Sequence, residues 1–380
     1  MAESYTVAGN RLTPLADGPE RLDALVALIA DARETLRLLY YIYGDDDAGR
    51  RINAAILAAL DRGVAVSLIV DGFGSGASDA FFRPLAERGA KLCRFLPRYG
   101  RRYLLRNHQK LALADARVAL IGGFNIERDY FADGADGWRD LGLRVEGPAA
   151  AHVAGYFDAL QAWAGADRGR LRDLRRLVRR FSQTDGAVRW LLGGPTSRLS
   201  PWAQAMRRDL RAAPRRVAMI AAYFAPSFRV LREVGRAARG GGDVRVITAA
   251  RSDNATTVAA ARHTYALLLR RGVRLFEYQP ARLHTKLYVV DDAVHLGSAN
   301  FDVRSLFLNL EIMLRVEDQA FAAAMRAYFD SEAADSREVD PARHARAGWL
   351  RRLRWALAYA LIAAVDGKLT RRLNFGPDGR

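Results

Sequence analysis

The sequence predicts an α/β protein built from two pseudo-twofold-related α-β-α lobes that share one active site. Apolar strand segments alternate with amphipathic helices that end in glycine, and the same order of signals occurs twice along the chain. The length of 380 residues also exceeds the usual range of a single domain. Half of the residues are hydrophobic, which is typical of a packed globular protein.

The first copy of the repeat begins where a helix ends at Gly63 and a buried strand follows from 64 to 70. A second helix then ends at Gly89, and a second strand runs from 92 to 96. The segment from 108 to 125 closes this copy and carries its polar motif.

The second copy passes through the same signals in the same order. Glycines 240 to 242 precede a strand at 244–248, and the next helix ends at Gly272. A strand at 273–278 leads to the closing segment from 284 to 300. Strands that alternate with helices in this way favour sheets covered by helices.

The repeat suggests a division of the chain into four parts. We expect an N-terminal lobe at 1–164, a basic inter-lobe segment at 165–199, a C-terminal lobe at 200–335 and a basic amphipathic tail at 336–380. Arginines concentrate between the lobes, where a solvated helix face and a headgroup-binding role both fit; they are Arg168, Arg170, Arg172, Arg175, Arg176, Arg179 and Arg180.

The formal net charge of +17 predicts a surface that attracts phosphate-bearing partners, either anionic lipid or nucleic acid.

Cys93 is the only cysteine, which excludes an intramolecular disulfide framework and a thiolate metal cluster. The sequence contains no secretory signal peptide pattern and no Gly-rich phosphate loop of the P-loop kind. No Asp, Glu, Cys or His cluster has metal-ligand spacing, so we expect no metal and no other cofactor.

The polar motif of the first copy is His108-Gln109-Lys110, followed after four residues by Asp115 and then by a Gly-rich turn that ends in Asn125. The second copy has the same order, as His284-Thr285-Lys286, Asp291 and the turn Gly297-Ser298-Ala299-Asn300. Residues i and i+2 of a strand share a face, so the His and Lys of each copy should point into the same space. Two copies of the motif make coincidence improbable, and His152, His263, His295 and His344 have no matching context.

This duplicated pattern resembles the His-x-Lys-x4-Asp signature of the phospholipase D superfamily. Further segments resemble its bacterial cardiolipin synthase branch: 138–140, 145–148, 223–226, 272–278 and 297–305. Gly123 departs from the serine usual in the Gly-Ser pair of the signature. The amino-terminal transmembrane pair of some relatives is missing, which indicates the peripherally bound subgroup.

The resemblance implies a reaction through a phosphohistidine, with His108 as nucleophile and His284 as general acid and base, although the near-symmetry of the site leaves the reverse open. The lysines supply the positive charge that a phosphodiester needs, and Asp115 and Asp291 belong to the motif but suit structural work. The residues expected to bind or support the phosphate are Asn125, Asn300, Asp140, Glu311, Ser298 and Arg304. Asp140 and Glu311 are expected to fix the histidine tautomers.

The resemblance further implies a cardiolipin synthase-type phosphatidyltransferase that joins two phosphatidylglycerol molecules. The C-terminal segment 349–355 combines tryptophan and arginine, which is typical of an interfacial helix, and its apolar continuation 355–365 spans only 11 residues where a bilayer requires about 20. We therefore expect a peripheral protein at the cytoplasmic face of the membrane. The alternatives are a hydrolase or nuclease of the same superfamily and, more remotely, a non-catalytic lipid-binding protein. Nucleic acid is the less favoured partner, because the sequence has no obvious row of aromatic residues for base stacking.

Overall fold

A computed structural model describes residues 3–95, 105–166, 170–196 and 199–366. In these ranges it contains two eight-stranded sheets with helices packed against them. This confirms the predicted α/β fold class with two repeated lobes.

The first sheet has the strand order β1-β2-β9-β7-β6-β3-β4-β5. Its strands are β1 (Tyr5–Val7), β2 (Asn10–Leu15), β3 (Thr35–Tyr40), β4 (Ala65–Asp71), β5 (Lys91–Phe95), β6 (Leu111–Ala114), β7 (Val118–Gly122) and β9 (Gly142–Glu146). Its helices are α1 (Gly18–Asp31), α2 (Asp47–Asp61), α3 (Asp79–Glu87) and α4 (Pro148–Gly165), with short 3-10 turns at Arg128–Tyr130 and Gly134–Asp136.

The second sheet has the order β10-β19-β17-β16-β11-β13-β14-β20. Its strands are β10 (Val188–Gly193), β11 (Arg216–Ala221), β13 (Asp243–Ala249), β14 (Arg274–Tyr278), β16 (Lys286–Val290), β17 (Ala293–Gly297), β19 (Glu311–Glu317) and β20 (Ser336–Glu338). The helices are α5 (Leu171–Phe181), α6 (Pro201–Arg211), α7 (Phe228–Arg239), α8 (Ala255–Leu269), α9 (Val303–Phe307), α10 (Gln319–Ala334), α11 (Pro341–Ala345) and α12 (Trp349–Tyr359), which a π-helical turn extends over Ala360–Asp366.

The two sheets share their strand order and pairing over seven strands, while the eighth strand, β1 or β20, is added at opposite edges. In each, three neighbouring strands run parallel (β3, β4 and β5; β11, β13 and β14), and the strands that follow the histidine motif pair antiparallel with the first of them. The helices end as expected before these strands, because Gly63 and Gly272 adopt φ of 84° and 85°, which glycine reaches without steric cost.

Three large apolar clusters form the core of the described residues, and a small fourth one packs α12 against α8. One packs α1, α2 and α3 on the outer face of the first sheet, and another packs α6, α7 and α8 on the outer face of the second. The third and largest joins the inner faces of both sheets through α4, α5 and α10. The lobes thus share a core, which fixes the ends of their sheets relative to each other.

Two of the predicted parts of the chain, the basic inter-lobe segment and the C-terminal tail, can be compared with the structure only in part. The basic segment 165–199 contains α5 and also β10, which pairs with β19 and so belongs to the second sheet. Arg168 of that segment and the basic residues Lys368, Arg371 and Arg372 lie outside the described residues. No helix in the described part of the chain has the length and apolar character needed to cross a membrane.

Candidate active site

The two histidine motifs meet where the lobes face each other. Residues 138–139 of the first lobe form the short strand β8, which pairs with β15 (Arg282–Leu283) of the second. The backbone N–H of His284 donates to the carbonyl oxygen of Arg139 (2.7 Å), and that of His108 donates to the carbonyl oxygen of Leu310 (2.9 Å). Each histidine is therefore fixed by the backbone of the opposite lobe.

The carboxylates that orient the histidines also cross between the lobes. Nδ1 of His108 lies 3.1 Å from Oε2 of Glu311, and Nδ1 of His284 lies 2.7 Å from Oδ2 of Asp140. An ionised carboxylate only accepts hydrogen bonds, so Nδ1 of each ring carries the hydrogen and Nε2 keeps its lone pair. The arrangement leaves two reactive Nε2 atoms, one from each half of the chain.

The two carboxylates have different surroundings. Glu311 also accepts hydrogen bonds from the hydroxyls of Ser298 and Ser305, the second at 2.8 Å. Asp140 accepts one from the backbone N–H of Leu141 at 2.8 Å. Ser298 therefore supports a carboxylate from within its own lobe. Its counterpart is Gly123, where a Cβ atom would lie 2.7 Å from the Asp140 carboxylate, so the glycine leaves room for that group.

Burial controls the protonation of both histidines. Burial, and then the charge of Lys286, lowers the pKa of His284 to about 3. Burial likewise lowers the pKa of His108, against the opposing effect of Glu311. Burial by itself raises the pKa of Asp140, but its interactions with His284 and Lys286 outweigh burial and keep that pKa below its ordinary value. Both rings are thus neutral in the free site, while Asp140 is ionised.

The two lysines lie beside the histidines of their own motifs. Both are buried, and the ammonium group of each donates to the carbonyl oxygen of the motif histidine, at 2.6 Å for Lys110 and His108. Burial lowers the pKa of Lys110 to about 7 and that of Lys286 to about 8. The strands bring these ammonium groups and the two rings together, as the i, i+2 spacing predicts.

The remaining phosphate-binding candidates lie around the same centre. Asn125 accepts a hydrogen bond from the backbone N–H of Ile42 (3.1 Å), and the side-chain oxygen of the buried Asn300 has no hydrogen-bond partner among the described residues. Burial raises the pKa of the Tyr41 phenol overall, and the charge of the nearby Arg304 opposes this effect. Contact of these three side chains with a phosphate stays a prediction.

Asp115 and Asp291 are at the other end of the motif strands. Each lies five positions after its motif lysine, which is roughly 16 Å along an extended chain. Asp115 accepts hydrogen bonds from three backbone N–H groups at the start of β3 (2.8–2.9 Å), and Asp291 accepts from those of Arg215 and Arg216 before β11. Asp115 and Asp291 stand in the histidine motifs, but these contacts anchor the starts of neighbouring strands, away from the histidines.

Aromatic rings around the histidines were not anticipated from the sequence. The Tyr41 ring centroid lies 5.1 Å from that of His108, and those of Tyr130 and Trp138 lie 5.0 and 5.2 Å from that of His284. They come from separate segments of the chain, with Tyr130 in a 3-10 turn and Trp138 in β8, and only Trp138, next to Arg139 and Asp140, stands in a segment with a recognisable signal. The other histidines have structural partners, such as Asp209 for His295 (2.7 Å) and Trp355 for His344.

Comparisons with known proteins agree with this architecture. A family model described as "Cardiolipin synthase, PLD-like domain" matches residues 25–161 and 206–333. Cardiolipin synthase B of Escherichia coli O6:H1 is 30% identical over 387 residues, covering 97% of this chain and 93% of that protein. Cardiolipin synthase A of Pseudomonas putida W619 is 31% identical over 345 residues, covering 88% and 71%. The crystal structure of phosphatidylserine synthase from Haemophilus influenzae Rd KW20 has a TM-score of 0.71 at 14% identity, covering 98% of this chain and 97% of that one, which shows a shared fold.

Two matching lobes with one histidine-lysine centre between them define a two-lobed enzyme of the phospholipase D superfamily. Because the family model covers more than half of the chain, the protein belongs to the cardiolipin synthase, PLD-like domain family.

Proposed function

We propose that the protein is a metal-independent phosphatidyltransferase that transfers the phosphatidyl group of one phosphatidylglycerol to a second one and forms cardiolipin. The observation that carries this proposal is the crossed site, in which each histidine has its Nδ1 held by a carboxylate of the other lobe. The names of the relatives support the lipid substrates. The ammonium groups of Lys110 and Lys286 supply the charge that would stabilise the phosphorane-like transition state.

The reaction proceeds in two displacement steps. Once substrate is bound and His284 has taken up a proton at Nε2, the Nε2 lone pair of His108 attacks phosphorus, the bond to the leaving glycerol oxygen breaks, and His284 donates its Nε2 proton to that oxygen. His284 then removes the proton of the acceptor hydroxyl, whose oxygen attacks phosphorus as the bond to His108 breaks. The protonated His284 is restored for the next cycle, and no net proton is consumed.

The unequal carboxylates support this assignment of roles. Glu311 shares its charge with two serine hydroxyls, so it stabilises an imidazolium at His108 less and leaves that ring a neutral nucleophile. Asp140 contacts His284 at the shorter distance of 2.7 Å and is better placed to stabilise its protonated form. Burial lowers the pKa of His284 in the free site, and a bound phosphodiester raises it again because a nearby anion favours the charged ring, so His284 takes up its proton when the substrate binds.

The C-terminal helix supports attachment to the membrane. On α12 and the turn that follows it, an apolar stripe faces solvent, with exposures of 72% for Trp349, 64% for Leu350, 62% for Leu357 and 56% for Leu361. Arginines 351, 352 and 354 flank the stripe. Such a helix lies in the headgroup region of an anionic bilayer, at the cytoplasmic face in this proposal. Trp355 packs inward on His344 instead.

Incubation of the purified protein with phosphatidylglycerol vesicles and a chelator, followed by mass spectrometry of the lipids, tests the proposal. Cardiolipin and free glycerol should form with the wild type and not with His108→Ala. Phosphatidic acid as the sole product would make the protein a hydrolase. No lipid turnover, together with cleavage of DNA, would contradict the lipid assignment and select the nuclease alternative.

A further inference from the structure

A cavity of about 790 Å³ lies in the second lobe, outside the histidine-lysine centre. Residues of α8, α11 and α12 form its walls, and β14, β20 and the segment that follows β13 contribute the rest. We call it the arginine cleft, because six arginines line it: Arg251, Arg262, Arg337, Arg343, Arg351 and Arg354. Glu277, Glu338 and Asp340 are the carboxylates in the lining.

The carboxylates of the arginine cleft are already occupied. The buried Glu277 accepts hydrogen bonds from Arg262 at 2.7 Å and from Arg337 at 2.8 Å. Glu338 pairs with Arg274, which is outside the lining, at 2.9 Å. Asp340 caps α11 by accepting a hydrogen bond from a backbone N–H. Glu277 and Glu338 are therefore paired with arginines, and Asp340 is the one carboxylate of the lining without an arginine partner in the described residues.

Four guanidinium groups remain without a carboxylate partner in the described part of the chain. Nη2 of Arg251 donates to the carbonyl oxygens of Gln279 and Pro280, both at 2.8 Å, which does not neutralise the charge of the guanidinium group. The others are Arg343, Arg351 and Arg354, which α11 and α12 project along one wall. Several guanidinium groups around one space favour an anion with several acceptor oxygens, above all a phosphate.

The surroundings of the cleft favour a phosphate that belongs to a lipid. A second cavity, of about 600 Å³, shares Arg262, His344 and Trp355 with the arginine cleft. Its other lining includes Ala266, Leu269, Leu353 and Ala356, so it offers apolar space on the other side of the His344–Trp355 stack. Leu353 also belongs to the solvent-facing stripe of α12, at 48% exposure. Basic and apolar surfaces thus adjoin each other, as an amphiphile requires.

The cleft also lies next to the catalytic centre. Its residues Arg251 and Ser252 directly precede Asp253, and the Ser252 hydroxyl donates to the Asp253 carboxylate. That carboxylate also accepts a hydrogen bond from Tyr223 (2.8 Å) and is close enough to Lys286 for its charge to act on the ammonium group. A lipid phosphate in the cleft would therefore be held on the His284 side of the site.

We propose that the arginine cleft binds the phosphate of a second anionic phospholipid and so positions the acceptor lipid beside His284. This inference rests on the proposed transfer reaction. It adds a site for the acceptor that is separate from the two lysines, which bind the phosphate undergoing reaction.

The test compares Arg343→Gln/Arg354→Gln with a control, Arg346→Gln/Arg239→Gln, that removes the same charge from exposed positions outside both cavities. In the first arm, each pair is placed in the His108→Ala protein, and dihexanoyl phosphatidylglycerol is titrated below its micelle-forming concentration. The second of two lipid equivalents should bind at least about tenfold more weakly after the cleft substitutions and unchanged after the control. Equal binding in all three proteins would overturn the site.

The second arm measures the ratio of cardiolipin to phosphatidic acid formed from phosphatidylglycerol vesicles by the otherwise wild-type chain. The ratio should fall at least about tenfold in the cleft variant, because water replaces a poorly held acceptor. An equal fall in the control would show a general surface-charge effect and contradict a specific site. If the wild type forms no cardiolipin, the transfer proposal fails by itself, while the titration still decides whether the cleft binds the lipid.

Discussion

The Asp140→Asn substitution tests the crossed arrangement of the site most sharply, since it removes a charge without removing volume. Asp140 is fully buried, with Oδ2 at 2.7 Å from Nδ1 of His284 and Oδ1 bonded to the N–H of Leu141. Asparagine can keep the shape but not the charge. A hydrogen bond to a charged group contributes about 1.5–3 kcal/mol, so kcat should fall roughly 10- to 150-fold.

The assay is the initial rate of cardiolipin formation from phosphatidylglycerol, with thermal unfolding as a check that the variant is folded. Asp133→Asn is the matched control, because Asp133 is exposed and makes no side-chain hydrogen bond or ion pair in the described residues. A folded Asp140→Asn protein with a rate within about threefold of wild type would refute the role assigned to this carboxylate.

Three further substitutions or conditions have defined outcomes. Asp115→Ala should lower the free energy of unfolding by about 1–2 kcal/mol above pH 4, as the loss of a helix cap does, while kcat of the folded protein is kept. Burial raises the pKa of Asp115, but hydrogen bonds from backbone N–H groups outweigh it and hold that pKa low, so the stabilisation is present above the unfolded pKa and is lost as pH falls through the folded pKa. In chemical denaturation, the difference in stability between variant and wild type should therefore be smaller at pH 3 than at pH 7. Glu332→Gln breaks an inter-lobe ion pair, with Arg139 at 2.6 Å, and should cost about 1–3 kcal/mol in urea unfolding; an unchanged midpoint would contradict a role for this pair in holding the lobes together. Burial lowers the pKa of Lys110 to about 7 and that of Lys286 to about 8, so the free site loses positive charge as pH rises. The dissociation constant of tungstate, an anion that takes the place of the phosphate, should therefore increase at least about tenfold between pH 6.5 and 9 when measured by calorimetry. A constant value would show that the lysines do not bind the anion.

The sequence was sufficient for the fold class and for the centre of the site because both depend on local patterns. Alternation and glycine caps identify the strands and helices, and the i, i+2 spacing places each histidine and lysine on one face of a strand. The repeat then implies two lobes. No long-range information is required for any of these steps.

The pairing of the carboxylates could not be predicted in the same way. Asp140 and Glu311 were expected to orient the histidines, yet which acid serves which ring depends on how the lobes meet. That geometry follows from the pairing of β8 with β15 and of Asn107 with Leu310, contacts between segments more than 130 residues apart in the chain. The arginine cleft is likewise formed by residues from separate elements, so its arginines resemble ordinary surface charges in the sequence.

The central claim is that two halves of the chain supply one nucleophile and one acid to the same phosphate. It is tested most directly by reaction of His284→Ala and of His108→Ala with phosphatidylglycerol, acid-free quenching, proteolysis and mass spectrometry of the histidine peptides. We predict a phosphatidyl adduct on the peptide that contains His108 in His284→Ala protein, and none in His108→Ala protein. An adduct on His284 alone would reverse the two roles, and the absence of any adduct from both proteins, with wild-type cardiolipin formation intact, would contradict the phosphohistidine account.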